Sequence, residues 1–95
     1  MKILAMEKEI PGVKDEQFTK HLKQEARELW DLYQEGIIRE LYFRKDRSQA
    51  ILLMECSGMD EARPILDSLP LVREGLISFD VIPLIPYPGF SRLFA

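Results

Sequence analysis

The chain holds one cysteine, Cys56, and one histidine, His21. A lone cysteine excludes an intrachain disulfide framework and any multi-cysteine metal site. With no chelating neighbour in sequence, the two residues argue against zinc. No block of lysine or arginine occurs, and the formal net charge is -3. Nucleic acid and anionic membranes are therefore not expected partners. No apolar run is long enough to span a bilayer, and the opening residues read as a strand rather than a signal peptide. The expectation is a soluble cytoplasmic protein. Glycine-rich phosphate loops and serine-centred nucleophile motifs are also missing.

What remains is an ordinary globular composition, 46% hydrophobic and 31% charged over 95 residues. That length allows one domain, residues 1–95, with a marginal core, so association with further copies adds stability. The organising stretch runs from Asp15 to Glu35. Phe18, Leu22, Ala26, Leu29, Leu32 and Tyr33 recur at helical spacing and form one apolar stripe. Glu25 lies on that stripe. A carboxylate there is costly unless it is paired, protonated or used. Asp15 is the candidate N-cap, and Gly36 fits the residue just past the C-terminus, where positive φ is cheapest for glycine.

The rest of the chain reads as strands and one further helix. Residues 2–8 form a first strand with both faces mostly apolar, Ile3 and Ala5 on one and Leu4 and Met6 on the other. Pro11-Gly12 is a turn. Residues 37–44 and 49–56 are strands joined by the polar stretch 45–48. Strict alternation sets Ile37, Arg39, Leu41 and Phe43 on the helix-covered face. It sets Ile38, Glu40, Tyr42 and Arg44 on the other. The apolar centre of 49–56 suits a central strand. Residues 59–68 form a short helix that begins near Asp60 or later if Pro64 is to sit in its first turn. Leu69-Pro70-Leu71 reads as a rigid connector. A last strand covers 77–84, and Pro83, which cannot donate to a ladder, puts it at an edge or ends its pairing there. The tail, residues 85–95, carries Ile85, Tyr87, Phe90, Leu93 and Phe94 and calls for a surface on a neighbouring subunit. The order β-α-β-β-α-β is the ferredoxin-like pattern, an α+β fold with a four-stranded antiparallel sheet. Helices cover one face only, so pairing of two sheets in a homodimer would cover the other.

These residues resemble the muconolactone isomerase family of the dimeric α+β barrel superfamily over most of the chain. The resemblance rests on the glycine-ended helix, Arg39-x-Leu41 followed by Tyr42, Asp60-Glu61, Leu69-Pro70-Leu71, Val81-x-Pro83-Leu84 and Pro88. Counted back from Gly36, Glu25 falls where the family carries a functional glutamate. The resemblance implies a barrel-forming dimer or a larger homo-oligomer, with tails reaching across subunits. It also implies proton transfer on a lactone without metal or organic cofactor. Two departures alter the acid-base set. Glu40 stands where the family has histidine, and the first strand lacks the family's histidine near its start.

Each candidate carries two readings. Glu25 is either a general acid-base group shifted by burial or a carboxylate reaching solvent at the stripe's edge. Arg39 either pairs with Glu25 and grips a substrate carboxylate, or extends to water. Leu22, Leu29 and Tyr33, with Trp30, line a ligand pocket, or Tyr33 and Trp30 belong to the core with Trp30 half exposed. Glu40 reads better as an interfacial ion-pair residue, His21 as a surface residue and Cys56 as a small buried hydrophobe. The leading function is an isomerase-like enzyme on a small carboxylated lactone or similar metabolite, with Glu25 and Arg39 as its site. A non-catalytic ligand-binding or assembly module of the same fold is the alternative. The third reading is a cofactor-free monooxygenase or a haem-related barrel protein, with His21 as axial ligand.

Overall fold

Alternating apolar residues in the first and third strands build the centre of the sheet. The computed structural model describes residues 1–95. Strands β1 (Lys2–Glu9), β2 (Ile38–Phe43), β3 (Ala50–Glu55) and β4 (Ile77–Leu84) form one sheet in the order β2-β3-β1-β4, with every pairing antiparallel. As expected, β3 is central and β4 is an edge strand. Ile3 and Ala5 of β1 face the helices with Leu52 and Met54 of β3, all four fully buried. Leu4 and Met6 of β1, with Ile51 and Leu53 of β3, occupy the opposite face and are only half-buried, because no element covers them.

The first helical stretch is broken. A single turn, α1 (Glu16–Thr19), precedes the main helix α2 (Leu22–Gln34), with Lys20 and His21 between them. Asp15 makes no side-chain cap bond. The long apolar stripe concealed this break, since Phe18 and Leu22 keep helical spacing across it. The C-terminal end is as the glycine required. Gly36 has φ +80°, Gly36 N–H donates to Tyr33 O at 3.1 Å and Ile37 N–H to Leu32 O at 3.0 Å. That is the paired bonding of a Schellman ending.

Strand β2 departs from strict alternation. Ile38 lies opposite Met54 and Glu40 opposite Leu53, so Arg39 is an extra residue in a bulge. The bulge moves Ile38 to the helix-covered face, where it is fully buried, while Leu41 and Phe43 stay on that side. The expected grouping of Ile38 with Glu40 and Tyr42 is therefore corrected. A one-residue insertion resets the period of two, and composition gives no sign of it.

Helix α3 (Met59–Asp67) starts earlier than Pro64 suggested, and Pro64 sits inside it. The connector runs into a helical turn, with Leu69 extended and Pro70 and Leu71 helical. Pro70 opens the single turn α4 (Pro70–Arg73) at the first position, where its missing N–H costs nothing. After β4 the tail ends in a 3-10 helix, Gly89–Phe94. Ile85, Tyr87, Phe90, Leu93 and Phe94 are all exposed, and Tyr87 packs edge-on against Phe90 at 5.0 Å. No helix is long and apolar enough to cross a membrane.

Candidate functional site

Glu25 lies on the buried side of α2, only 7% exposed. Its Oε1 accepts the Leu71 N–H at 2.9 Å. That N–H belongs to the first turn of α4 and has no partner within the helix, so the carboxylate satisfies an orphan donor. No lysine or arginine forms an ion pair with Glu25. No hydrogen bond reaches Oε2, yet no sealed side-chain oxygen is left unpaired. Oε2 therefore keeps access to open space. Burial raises the pKa of Glu25 above its ordinary value; the Leu71 N–H opposes this, and the charges of Glu28 and Glu7 add to it.

A cavity of about 560 Å³ lies between the start of α2 and the sheet; Glu25 does not line it, and adjoins it only through Leu71, a lining residue whose N–H it accepts. Phe18, Leu22, Phe43, Leu71, Leu76 and Ile77 give it apolar walls, and Glu7, Glu9, Asp15 and Ser48 give it a polar side. Glu7 lines this cavity, and sequence reasoning passed it over. It continues the face of Ile3 and Ala5, so β1 aims it beneath the helices. Its Oε1 accepts the Ala50 N–H at 3.1 Å, and burial raises its pKa as well, opposed by that bond and aided by Glu9. The available signal was the one that marked Glu25, a carboxylate in an otherwise apolar register. It was masked because strand alternation fades after Met6.

The other candidates gather elsewhere. Ala26, Leu29, Trp30 and Tyr33 of α2 face Arg39, Glu40, Leu41 and Tyr42 across a second groove of about 490 Å³. Arg39 is exposed and donates from Nε to Gly36 O at 2.5 Å, which fixes it at the C-terminal end of α2. Glu25 sits in the first turn of that 13-residue helix, which is about 20 Å long. Arg39 and Glu25 therefore do not form the pair the strand pattern suggested. Leu22 lines the first cavity, whereas Leu29 and Tyr33 line the Arg39 groove, and Glu25 lines neither.

Trp30 and Tyr33 lie near each other, ring centres 6.2 Å apart, and both are about half exposed rather than core. Glu40 accepts a hydrogen bond from Tyr42 Oη at 2.7 Å, and that bond holds the Tyr42 hydroxyl above its ordinary pKa. His21 precedes the first turn of α2 without capping it. Cys56 is buried, and burial first of all raises its thiol, so it is an inert packing residue as expected.

No protein-family model matches the chain, and no curated protein is detectably similar to it. Among solved structures it is similar to muconolactone isomerase, with TM-score 0.77 and 18% identity over 94% of this chain and 93% of that one. It is also similar to 5-chloro-2-hydroxyhydroquinone dehydrochlorinase from Burkholderia phenoliruptrix in complex with 2,5-dihydroxybenzoquinone, with TM-score 0.66 and 20% identity over 92% and 96%. The chain has the ferredoxin-like α+β fold of muconolactone isomerase, as the resemblance in its sequence implied.

Proposed function

We propose that the chain is an isomerase-like enzyme that moves a proton on a small lactone or similar metabolite without a cofactor, with Glu25 taking the proton. One observation carries this reading: Glu25 is nine-tenths buried, is held by a single N–H, and has a second oxygen that is neither hydrogen-bonded nor sealed from open space. A buried carboxylate kept for stability alone needs a cation or a full set of donors. One that holds its proton more tightly than usual is better matched to general acid-base work near neutral pH. The likeness to two enzymes, one an isomerase and one a dehydrochlorinase, adds support.

In this mechanism the Glu25 carboxylate removes a proton from a carbon next to the substrate carbonyl. The electron pair of that bond moves onto the carbonyl as an enolate. Return of a proton at another carbon completes the isomerisation. Leu22 lines the cavity at the Glu25 end of α2, while Leu29, Tyr33 and Arg39 line a second groove towards its other end, where Arg39 is placed to hold a ligand carboxylate.

The separation of Arg39 from Glu25 favours a second reading, a non-catalytic ligand-binding or assembly module. A panel of unsaturated lactones and hydroxyquinones in D2O, followed by NMR, separates the two. The isomerase reading expects deuterium at the carbon next to the carbonyl, and a loss of about two to four orders of magnitude in Glu25→Gln. Binding without exchange would support the module instead.

A homodimer formed through the uncovered sheet face belongs to the same proposal. Leu4, Met6, Ile51, Leu53, Ile82 and Leu84 share that face and are partly or fully exposed in one copy. The apolar tail, residues 85–95, is taken to pack on a neighbouring copy.

A further inference from the structure

The groove between α2 and β2 holds two opposite charges that nothing in the protein neutralises. Arg39 and Glu40 both line it. Neither forms an ion pair, with the other or with any further residue. Arg39 spends only Nε, on Gly36 O, so its two Nη groups have no protein partner. Glu55 is held first by the terminal ammonium of Met1, and Arg39 acts on it only from beyond ion-pair distance. Glu40 gives Oε1 to the Tyr42 hydroxyl and leaves Oε2 unbonded. The bulge accounts for this doublet. Consecutive residues of a regular strand point to opposite faces. The extra residue at Arg39 breaks that alternation, and β2 is an edge strand, so both charges reach one groove.

The same groove is walled by Trp30, Tyr33 and Tyr42, each about half exposed. Trp30 and Tyr33 lie three residues apart on α2 and so share a face. Their rings are tilted by 39° with centres 6.2 Å apart, so they do not stack shut. A cation seated between them would lie within about 6 Å of both centres, the range of cation–π attraction. Tyr42 comes from the strand, and its proton is held first by Glu40 and also by Tyr33. Three rings and one carboxylate therefore meet in one part of the groove. The rest of the lining, Arg39 apart, is aliphatic, and about 490 Å³ is ample for a small molecule.

That set of groups selects its ligand. A purely anionic ligand would meet Glu40, and a purely cationic one would meet Arg39. A primary ammonium brings three donors that need acceptors once water leaves. This groove would meet them mainly with aromatic and aliphatic side chains. A fully methylated ammonium has no donor to satisfy, and rings with a carboxylate nearby stabilise its charge. We infer that the groove binds a betaine, a small molecule with a quaternary ammonium and a carboxylate. Trp30, Tyr33, Tyr42 and Glu40 take the ammonium, and the free Nη groups of Arg39 take the carboxylate. Of the reading above this uses only the carboxylate role of Arg39; Glu25 has no part in it.

Trp30 is the only tryptophan, so its fluorescence reports on this groove in the unaltered protein. The full chain is titrated with trimethylammonioacetate and with 4-(trimethylammonio)butanoate, which bracket the separation of the two charges. Matched probes delete one charge at a time. In 3,3-dimethylbutanoate and 5,5-dimethylhexanoate carbon replaces the ammonium nitrogen, and the methyl ester of each betaine removes the carboxylate. Unmethylated 4-aminobutanoate tests the methyl groups. Saturation-transfer NMR reads the same titrations for variants at Trp30, and circular dichroism confirms that each variant is folded.

At least one betaine is expected to bind saturably with Kd of about 1 mM or below. Its carbon isostere and its methyl ester should each bind about tenfold more weakly or worse. Glu40→Gln should cost the betaine about tenfold and leave the carbon isostere unaffected. Trp30→Ala should cost the betaine about fivefold or more, with Trp30→Phe in between. Arg39→Gln should make the betaine and its ester bind alike, which a merely structural role would not do. Equal binding of betaine and carbon isostere overturns the cation site. Binding of 4-aminobutanoate as tightly as its trimethylated form overturns the ligand class. Full betaine affinity in folded Glu40→Gln and Arg39→Gln overturns the residues assigned. No binding of either betaine overturns the proposal as a whole, and Trp30 emission that then changes on dilution would give the groove to a second copy of the chain.

Discussion

At the scale of single residues, burial of the Glu25 carboxyl carries a cost. Its pKa is raised in the folded chain, chiefly by burial, from an ordinary value of 4.5. The folded state therefore binds this proton more tightly than the unfolded state. The stability it contributes is fully present below about that ordinary value and is lost as pH rises through the folded-state value. Glutamine keeps an oxygen for the Leu71 N–H and removes the charge. Glu25→Gln is accordingly expected to melt higher than wild type at pH 7 to 8, with the gap closing as pH falls toward 4. Thermal melts across pH check this; a lower melting point at neutral pH would show that the charge is compensated. The anomaly at Glu25 was legible in the sequence because it interrupts an otherwise apolar stripe. Glu7 was not, because a carboxylate near a strand's end looks like the edge of the element. Only the pairing of β1 with β3 and β4 reveals which way it points.

At the scale of elements, the sequence told more about kinds than about joins. All four strands and the two main helices were readable from periodicity, turn residues and the prolines. The break at Lys20 and His21 was not, since Phe18 and Leu22 keep helical spacing across it, and the bulge at Arg39 was not, since Ile37 and Ile38 are both apolar and either suits the buried face. The bulge has the larger consequence. It buries Ile38 and ties Arg39 to Gly36 O, so it separates the two residues that simple alternation had brought together. Gly36 sets the geometry of that corner. An added Cβ would meet only Arg39 Nε, at 3.8 Å, so space is available and the backbone is the obstacle. Gly36→Ala forces a left-handed conformation on alanine and is expected to cost about 1–2 kcal/mol. Urea unfolding should report this as a lower midpoint with an unchanged slope; an unchanged midpoint would mean that the turn relaxes.

At the scale of the whole molecule, the half of the sheet left bare and the exposed tail pose the same problem. The protein measures 57 Å in its longest direction against 28 and 22 Å in the others. Leu53 is on the bare face at the centre of the sheet, opposite Leu4 of β1. Leu53→Asp should place a charge in the proposed sheet-to-sheet interface and give a monomer by mass measurement, while a retained dimer would put the interface elsewhere. Removal of residues 86–95 should lower the mass of any assembly larger than a dimer, and an unchanged assembly counts against a role for the tail. The apolar content of both sheet faces and of the tail was plain in the sequence, and it pointed to further copies. How those copies meet depends on surface shape, which strand periodicity does not encode. The most direct test of the whole reading follows deuterium uptake from D2O into an unsaturated lactone by wild type and Glu25→Gln, at equal concentrations of folded protein. Exchange by wild type that falls by about two orders of magnitude or more in the variant is the expected result. Equal rates in the two proteins would contradict it.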